Sequence, residues 1–309
     1  MFRGSSLLMS NSAYRENVEA VLKGLLASDN AAKDLTVAAL GLKPVPGSAQ
    51  ILAREPGTAA GVEEFSSLLQ GVGAGVEVAF VVKDSDAFES GDVLANLKGT
   101  QIDLLSTERV GLNLLQRMCG IATAARRLQK RVAKRNPEAR VVATRKTPWG
   151  LLDKRAVHCG GAGTHRISLG DAILIKNNHL KLIADSEETA APEAIRRVWQ
   201  LRKESAFMEV EVRSIPAAVA AAETFRRLRE EEDETYPCLI LLDNMAPREL
   251  ARAVDALRQK RVWEHVLIEA SGGICESNIE DYAEHGADAI SVGALTHSAR
   301  ALDLCQRIS

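Results

Sequence analysis

Arg145, Lys146, His165, Arg166 and Lys176 all fall within residues 143–179 of this 309-residue chain, in the stretch ATRKTPWGLLDKRAVHCGGAGTHRISLGDAILIKNNH. Arg145-Lys146 and Lys176 close the short β-branched runs VVATRK and AILIK, where a buried strand opens into a loop. Like charges at strand ends repel unless a counter-charge relieves them, so this group suits a polyanionic small molecule. Two later segments offer a second anion-binding element. Ser271, Gly272 and Gly273 follow a strand-like run in IEASGGI, and Gly293 and Ala294 in SVGALTHS stand where a helix should begin. Backbone N–H groups at such turns can converge on a phosphate, and glycine lets the main chain approach it closely. Glu211 in MEVEV and Asp243 in LLDN end consecutive runs. A carboxylate pair facing a phosphate-rich ligand commonly holds Mg²⁺ through oxygen ligands and water. The sequence leaves open the plainer reading, ion pairs with Lys146 or Lys176.

Composition keeps this basic cluster local. With 39 basic against 41 acidic residues the net charge is −2, which argues against a nucleic-acid or anionic-membrane surface and favours a pocket. The five cysteines are odd in number, widely spaced and lack a CxxC pair, so unpaired thiols in a reducing cytoplasm are expected. No run approaches the roughly 18 apolar residues of a membrane span, and the apolar part of MFRGSSLLMS is short for a secretory signal. A soluble, cytoplasmic protein is the expectation.

The elements that must position these residues change style near residue 120. Before it come an amphipathic helix over Tyr14 to Leu26 and the strand-like segments SAQILARE, VEVAFVVKD and GDVLANLKG, which read as α+β with an antiparallel sheet. STERVGLNLLQRMCGIATAARRLQKRVAKR has a helical period, with Leu112, Leu115, Ile121 and Leu128 on its apolar side and Gly120 as a candidate break; it connects the halves. Apolar runs then recur at Val141-Val142, Ile173–Ile175, Met208–Val212, Leu239–Leu242, Val266–Ile268 and Ala289–Val292, mostly with helical segments between. That alternation implies a parallel sheet covered by helices. Polar residues end every run, including Glu209 and Glu269. A (β/α) barrel gathers such ends on one face, whereas an open doubly wound sheet concentrates ligands at one crevice. Six strands fall short of eight, so an open or incomplete barrel is expected. Residues 224–237, holding FRRLREEEDETYP, read as a solvated helix and loop.

TRKT, GGAGTHR, LIKNNH, EVEV, LLDN, EASGGI and SVGALTHSA, in this order, resemble the quinolinate phosphoribosyltransferase family, and KDLT, AAGVEE and LLSTERVGLNLLQRMCGIAT extend the likeness into the first half. The resemblance implies an N-terminal α+β sandwich domain at 1–118, followed at 119–309 by an open α/β barrel of six or seven strands with a C-terminal helix. It also implies a homodimer, in some members assembled into a hexamer, and Mg²⁺ as cofactor. Quinolinate and phosphoribosyl pyrophosphate are the implied ligands, with no nucleic acid or membrane partner. Carried over by position, Arg109 reaches across the dimer interface to quinolinate. Arg145, His165 and Arg166 contact its carboxylates, and Lys146 and Lys176 contact substrate and phosphoribosyl groups. Glu211 and Asp243 lie near ribose and metal, with the catalytic work assigned to Lys146, Lys176, Glu211 and Asp243. The two glycine loops take the 5′-phosphate. This chain departs from the family pattern in a shortened TRKTPWGLL loop, in THR for NHR and in NNH for DNH.

Other chemistries fit parts of the pattern. Lys176 at a strand end suits a Schiff-base lysine of an aldolase-type barrel. A paralogous transferase acting on nicotinate or another aromatic acid would share the barrel and phosphate loops, and a non-enzymatic anion-binding regulator requires the acidic pair to be idle. His158, His179 and His297 read as loop or supporting residues, and Trp149 as part of a loop or pocket wall.

Overall fold

The structure, a computed structural model, describes residues 3–29, 33–71, 75–233 and 235–309. In chain order the elements begin with α1 (Ser12–Asp29), α2 (Leu35–Ala39), β1 (Pro46–Ala53), β2 (Gly57–Thr58), α3 (Val62–Gly71), β3 (Glu77–Phe80), β4 (Ala87–Phe88) and β5 (Val93–Thr100). There follow α4 (Gln101–Arg135), β6 (Arg140–Val142), α5 (Leu151–Cys159), β7 (Ile173–Ile175), α6 (Asn177–Leu180), α7 (Glu187–Val198), β8 (Met208–Val212) and α8 (Ile215–Glu232). The chain continues through β9 (Cys238–Asp243), α9 (Pro247–Gln259), β10 (Leu267–Ser271), α10 (Ile279–Glu284), β11 (Ala289–Ser291), α11 (Ala294–His297) and β12 (Leu304–Ile308). These elements divide into two compact units. Of the described residues, one unit takes those within 3–126, 146–162 and 295–309, and the other those within 127–145 and 163–294.

The first unit is built on an antiparallel sheet in the order β12-β1-β5-β3. Alternation along β1 buries Ala49, Ile51 and Ala53 while the intervening residues stay partly exposed, the period-two pattern of a strand with one covered face. A C-terminal helix was expected, but β12 ends the fold as a strand, pairing Ala49 with Ile308 and Ala53 with Leu304. Helix α4 fixes this strand from the side: Gln116 Nε2 donates to the Leu304 carbonyl at 2.9 Å and Gln306 Nε2 to the Leu104 carbonyl at 2.8 Å. Gly120 does not break α4. A Cβ there would collide with the Arg300 carbonyl oxygen, so glycine at this position permits a close backbone approach.

The second unit holds a six-stranded, wholly parallel sheet in the order β6-β11-β10-β9-β8-β7. Strands β7 to β11 pair in sequence and β6 joins the last of them, so the single seam lies between β6 and β7. This is the open barrel that the strand count implied. Beside β6 a seventh strand is reduced to one bridge: Ala143 N–H donates to the Gly163 carbonyl and Gly163 N–H to that of Val141, at 2.9 and 2.8 Å. Register separates the two faces of the sheet. Glu209 pairs with Leu239, Glu211 with Leu241, Glu269 with Leu241 and Ser271 with Asp243, so these residues share one face. Met208, Val210, Val212, Ile240, Ile268 and Ala270 occupy the other and are fully buried. Each large aliphatic side chain so buried contributes about 1.5–3 kcal/mol. The end of α8 and the segment after it are a largely solvated helix and loop, with Arg227, Glu230, Glu231, Glu232, Asp233 and Thr235 exposed, while Phe225 is buried in α8 and Glu232 accepts from Trp199 Nε1 at 3.0 Å and from Arg202.

Candidate active site

The polar residues of the second unit's sheet occupy graded depths. At its carboxyl edge are Asp243, Ser271 and Ser291; one step deeper come Glu211 and Glu269; deeper again is Glu209. His165 hydrogen-bonds Glu209 and lies within ion-pair distance of Glu269, whose facing oxygen has no hydrogen-bond partner among the described residues. Its Nε2 lies 2.9 Å from Glu209 Oε2 and 3.0 Å from Glu269 Oε2, and Ser291 Oγ donates to the other oxygen of Glu269. The ring packs edge-on against Phe207, centroids 5.1 Å apart, and all three charged groups are buried. Burial alone pulls the imidazolium pKa down, but Glu269 and Glu209 outweigh it and push it up to about 10. Burial and the Glu269 charge push Glu209 up to about 7, whereas His165 and Ser291 hold Glu269 below the usual range despite its burial. The donor atoms of the trio lie within 4.8 Å of one another, a spacing that would also suit a divalent cation. A hydrogen bond to Glu209 and an ion pair with Glu269 from a charged imidazole already account for the separations.

His165 has φ +52°, a left-handed backbone that costs a non-glycine residue about 1–3 kcal/mol. Arg166 follows it, buried, with Nη1 donating to the Ala172 carbonyl at 3.3 Å. Burial and then the Arg145 charge lower the Arg166 pKa, while the Glu209 and Asp171 charges act the other way. Neither arginine forms an ion pair among the described residues. Lys176 is exposed where β7 gives way to α6, its N–H bonded to His179 Nδ1 at 2.9 Å.

The acidic pair is partly engaged. Asp243 Oδ2 receives Arg213 Nε and Nη2 at 3.0 and 2.9 Å and Asn244 Nδ2 at 3.0 Å. Its cation is therefore Arg213, which charge counting along the sequence did not single out. Among the described residues Glu211 Oε1 accepts a long 3.4 Å bond from the Asn177 N–H. Two half-buried carboxylates on one face of adjacent strands are an all-oxygen donor set of the kind Mg²⁺ takes. Behind Asp243, the Ser271 carbonyl accepts the Asn244 N–H at 2.8 Å, and Gly272 and Gly273 turn away with φ +98° and +63°. A side chain at Gly272 would also strike the Asn244 amide. Gly293 is half-buried and Ala294 exposed, opening the single turn of α11.

Arg109 and Lys146 belong to the first unit. Arg109 stands on α4 with its side chain 60% exposed, 4.0 Å from Glu108. Lys146 is exposed on a loop that buried Asp153 anchors. Arg117 grips Asp153 with Nε and Nη2 at 2.8 and 2.7 Å, Thr147 donates to the same carboxylate, and Thr296 Oγ1 donates to the Lys146 carbonyl at 2.8 Å. Trp149 lies under Arg117 at 5.3 Å, a loop-shaping role. Arg117 and Asp153 are 36 positions apart and carried no sequence signal.

The chain combines an antiparallel α/β unit with an open parallel barrel whose strand ends carry cations, carboxylates and glycine turns, and this defines a class of anion-handling α/β proteins. The family models for the quinolinate phosphoribosyl transferase N-terminal and C-terminal domains match residues 34–119 and 121–306, and the chain belongs to this family. It is 34% identical over 290 residues to a probable carboxylating nicotinate-nucleotide pyrophosphorylase of Methanothermobacter thermautotrophicus, covering 93% of this chain and 98% of that one. A carboxylating nicotinate-nucleotide pyrophosphorylase of Mycobacterium leprae is 38% identical over 255 residues, covering 81% and 82%. The solved nicotinate-nucleotide pyrophosphorylase of Francisella tularensis superposes with a TM-score of 0.79 at 27% identity, covering 95% of this chain and 96% of that one.

Proposed function

We propose that this protein transfers the phosphoribosyl group of phosphoribosyl pyrophosphate to quinolinate with decarboxylation, giving nicotinate mononucleotide, pyrophosphate and CO₂ for NAD biosynthesis. The observation that carries the reading is the pair Arg145 and Arg166, whose charges act on each other, which form no ion pair among the described residues although the Glu209 and Asp171 charges act on Arg166, and which lie in a unit matched to the family's C-terminal domain. Guanidinium groups suit the two carboxylates of quinolinate because each can donate two parallel hydrogen bonds. His165 adds a further positive charge. The aldolase-type and nicotinate-specific alternatives gain no support from the family match.

The pyridine nitrogen attacks C1 of the ribose while the C1–O bond to pyrophosphate breaks, through an oxocarbenium-like state. Glu211 and Asp243 favour the developing positive ring, and the glycine turns at 271–273 and 293–294 hold the 5′-phosphate. The same two carboxylates are the residues that would bind Mg²⁺, which stabilises charge on departing pyrophosphate when bound. Quaternisation then lets the 2-carboxylate leave as CO₂, its electron pair remaining at C2 beside the cationic nitrogen until a proton arrives. No covalent nucleophile is needed, and alignment with charge does the work. Lys146 and Lys176 contact substrate and phosphoribosyl groups in this reading, and Arg109 completes the site of a partner copy in a homodimer.

The exposed apolar residues Leu35, Leu40, Leu42 and Val45 support that dimer, because such a patch favours a protein partner. Among the described residues no helix is long and apolar enough to cross a membrane, and a cytoplasmic location is part of the proposal. Pyrophosphate release should occur with quinolinate and phosphoribosyl pyrophosphate, stop on chelation with EDTA and be far slower with nicotinate. Equal rates with the two acids would refute the reading.

A further inference from the structure

The two deepest charges in the barrel are carboxylates, an unexpected foundation beneath a pocket read as binding a dianion. Their placement has a geometric logic. Glu209 comes from β8 and Glu269 from β10, on either side of β9, and both present an oxygen to the same ring nitrogen, His165 Nε2, at 2.9 and 3.0 Å. Ser291 Oγ donates to Glu269 Oε1 and so directs the remaining oxygen toward the ring. Nε2 is thereby held by a hydrogen bond on the Glu209 side and by an ion-pair contact on the Glu269 side, while Nδ1 makes no hydrogen bond among the described residues.

We propose that Glu209 and Glu269 are positioning residues: they clamp His165 at Nε2, leave Nδ1–H free to meet a carboxylate of the pyridine substrate, and hold the His165-Arg166 turn in its left-handed form. The inference rests on the quinolinate reading of the site. Neither glutamate touches substrate in this account. Both act on the imidazole, whose positive charge in this buried setting depends on carboxylate neighbours, and the Glu209 charge also favours the cationic form of Arg166. The raised His165 pKa agrees with the geometry without carrying it.

Steady-state kinetics of Glu209→Gln and Glu269→Gln, with thermal unfolding and ¹⁵N spectra of the histidine ring nitrogens, test the clamp. We expect KM for quinolinate to rise roughly tenfold or more and KM for phosphoribosyl pyrophosphate to stay within about twofold. The His165 Nε2 resonance should shift and the melting temperature should change little. A structural role alone would move both Michaelis constants and the melting temperature together, and that result, or an unchanged quinolinate KM in folded variants, overturns the proposal. Should either variant fail to fold, Ser291→Ala loosens Glu269 while keeping both acids. A roughly threefold rise in quinolinate KM alone then supports the clamp, and no change refutes it. If the wild-type protein does not turn over quinolinate, the proposed function fails. The ring spectra still judge the clamp, since unshifted His165 resonances in both glutamine variants count against it.

Discussion

At the scale of single residues, charge decides what the site can do. Replacing Arg145 or Arg109 by alanine should raise the quinolinate KM more than tenfold, because a charge-assisted hydrogen bond contributes about 1.5–3 kcal/mol. Unchanged kinetics in both variants would remove them from the pocket. His165 predicts a pH dependence with a definite sign. Its folded pKa of about 10 lies above the ordinary 6.5, so its stabilisation is complete below about pH 6.5 and is lost as pH rises through 10. Between pH 8 and pH 10 the wild-type melting temperature should therefore fall more than that of His165→Gln. Parallel curves would deny the histidine its charge. The cations, the acids at strand ends and the glycine turns were all legible in the sequence, since each follows an apolar run. Pairings were not. Glu209 and Glu269 could be noted as strand-end acids, but only the register across β9 brings them to one imidazole, and nothing local to Asp243 announces Arg213.

Elements were easier to read where burial is continuous. All six barrel strands overlap the apolar runs, five of them to within a residue or two and β10 extending three residues beyond its run, because a parallel strand covered on both faces leaves little choice of side chain. The expected C-terminal helix, which the sequence left without bounds, is replaced at the end of the fold by a strand. LCQRI is short and half polar, and its partner β1 lies some 250 positions earlier, so no local pattern reveals the pairing. Helix α4 offers a test in which propensity and packing disagree. Alanine normally gains about 1 kcal/mol over glycine inside a helix. Gly24→Ala in α1, with open space around the new methyl, should gain up to that amount in denaturant unfolding. Gly120→Ala should instead destabilise, by about 1–3 kcal/mol, because the methyl meets backbone that cannot rotate aside. A stabilising Gly120→Ala would show that α4 and the 300–302 segment are not packed as described.

For the whole molecule, the proposed homodimer makes the exposed α2 segment an interface. Asp34 caps α2 by accepting the N–H groups of Thr36 and Val37, which gives the KDLT motif a structural task and presents Leu35 and Leu40 to solvent on the isolated chain. Leu40→Lys combined with Leu42→Lys should shift the protein toward monomer in analytical ultracentrifugation and reduce turnover, since each site would lose the partner's Arg109. A dimer unaffected by both charges would place the interface elsewhere.

Pairing of residues 304–308 with residues 49–53 also governs the order in which the chain can fold during its synthesis. While the ribosome is still making the barrel, β1 emerges with one edge open, and its neighbour is supplied only after roughly 250 further residues have been translated. The nascent polypeptide must keep an unpaired apolar edge from associating with other chains throughout that interval, a task suited to a chaperone. Truncation just before Leu304 would preserve the barrel strands and leave that exposed edge permanent.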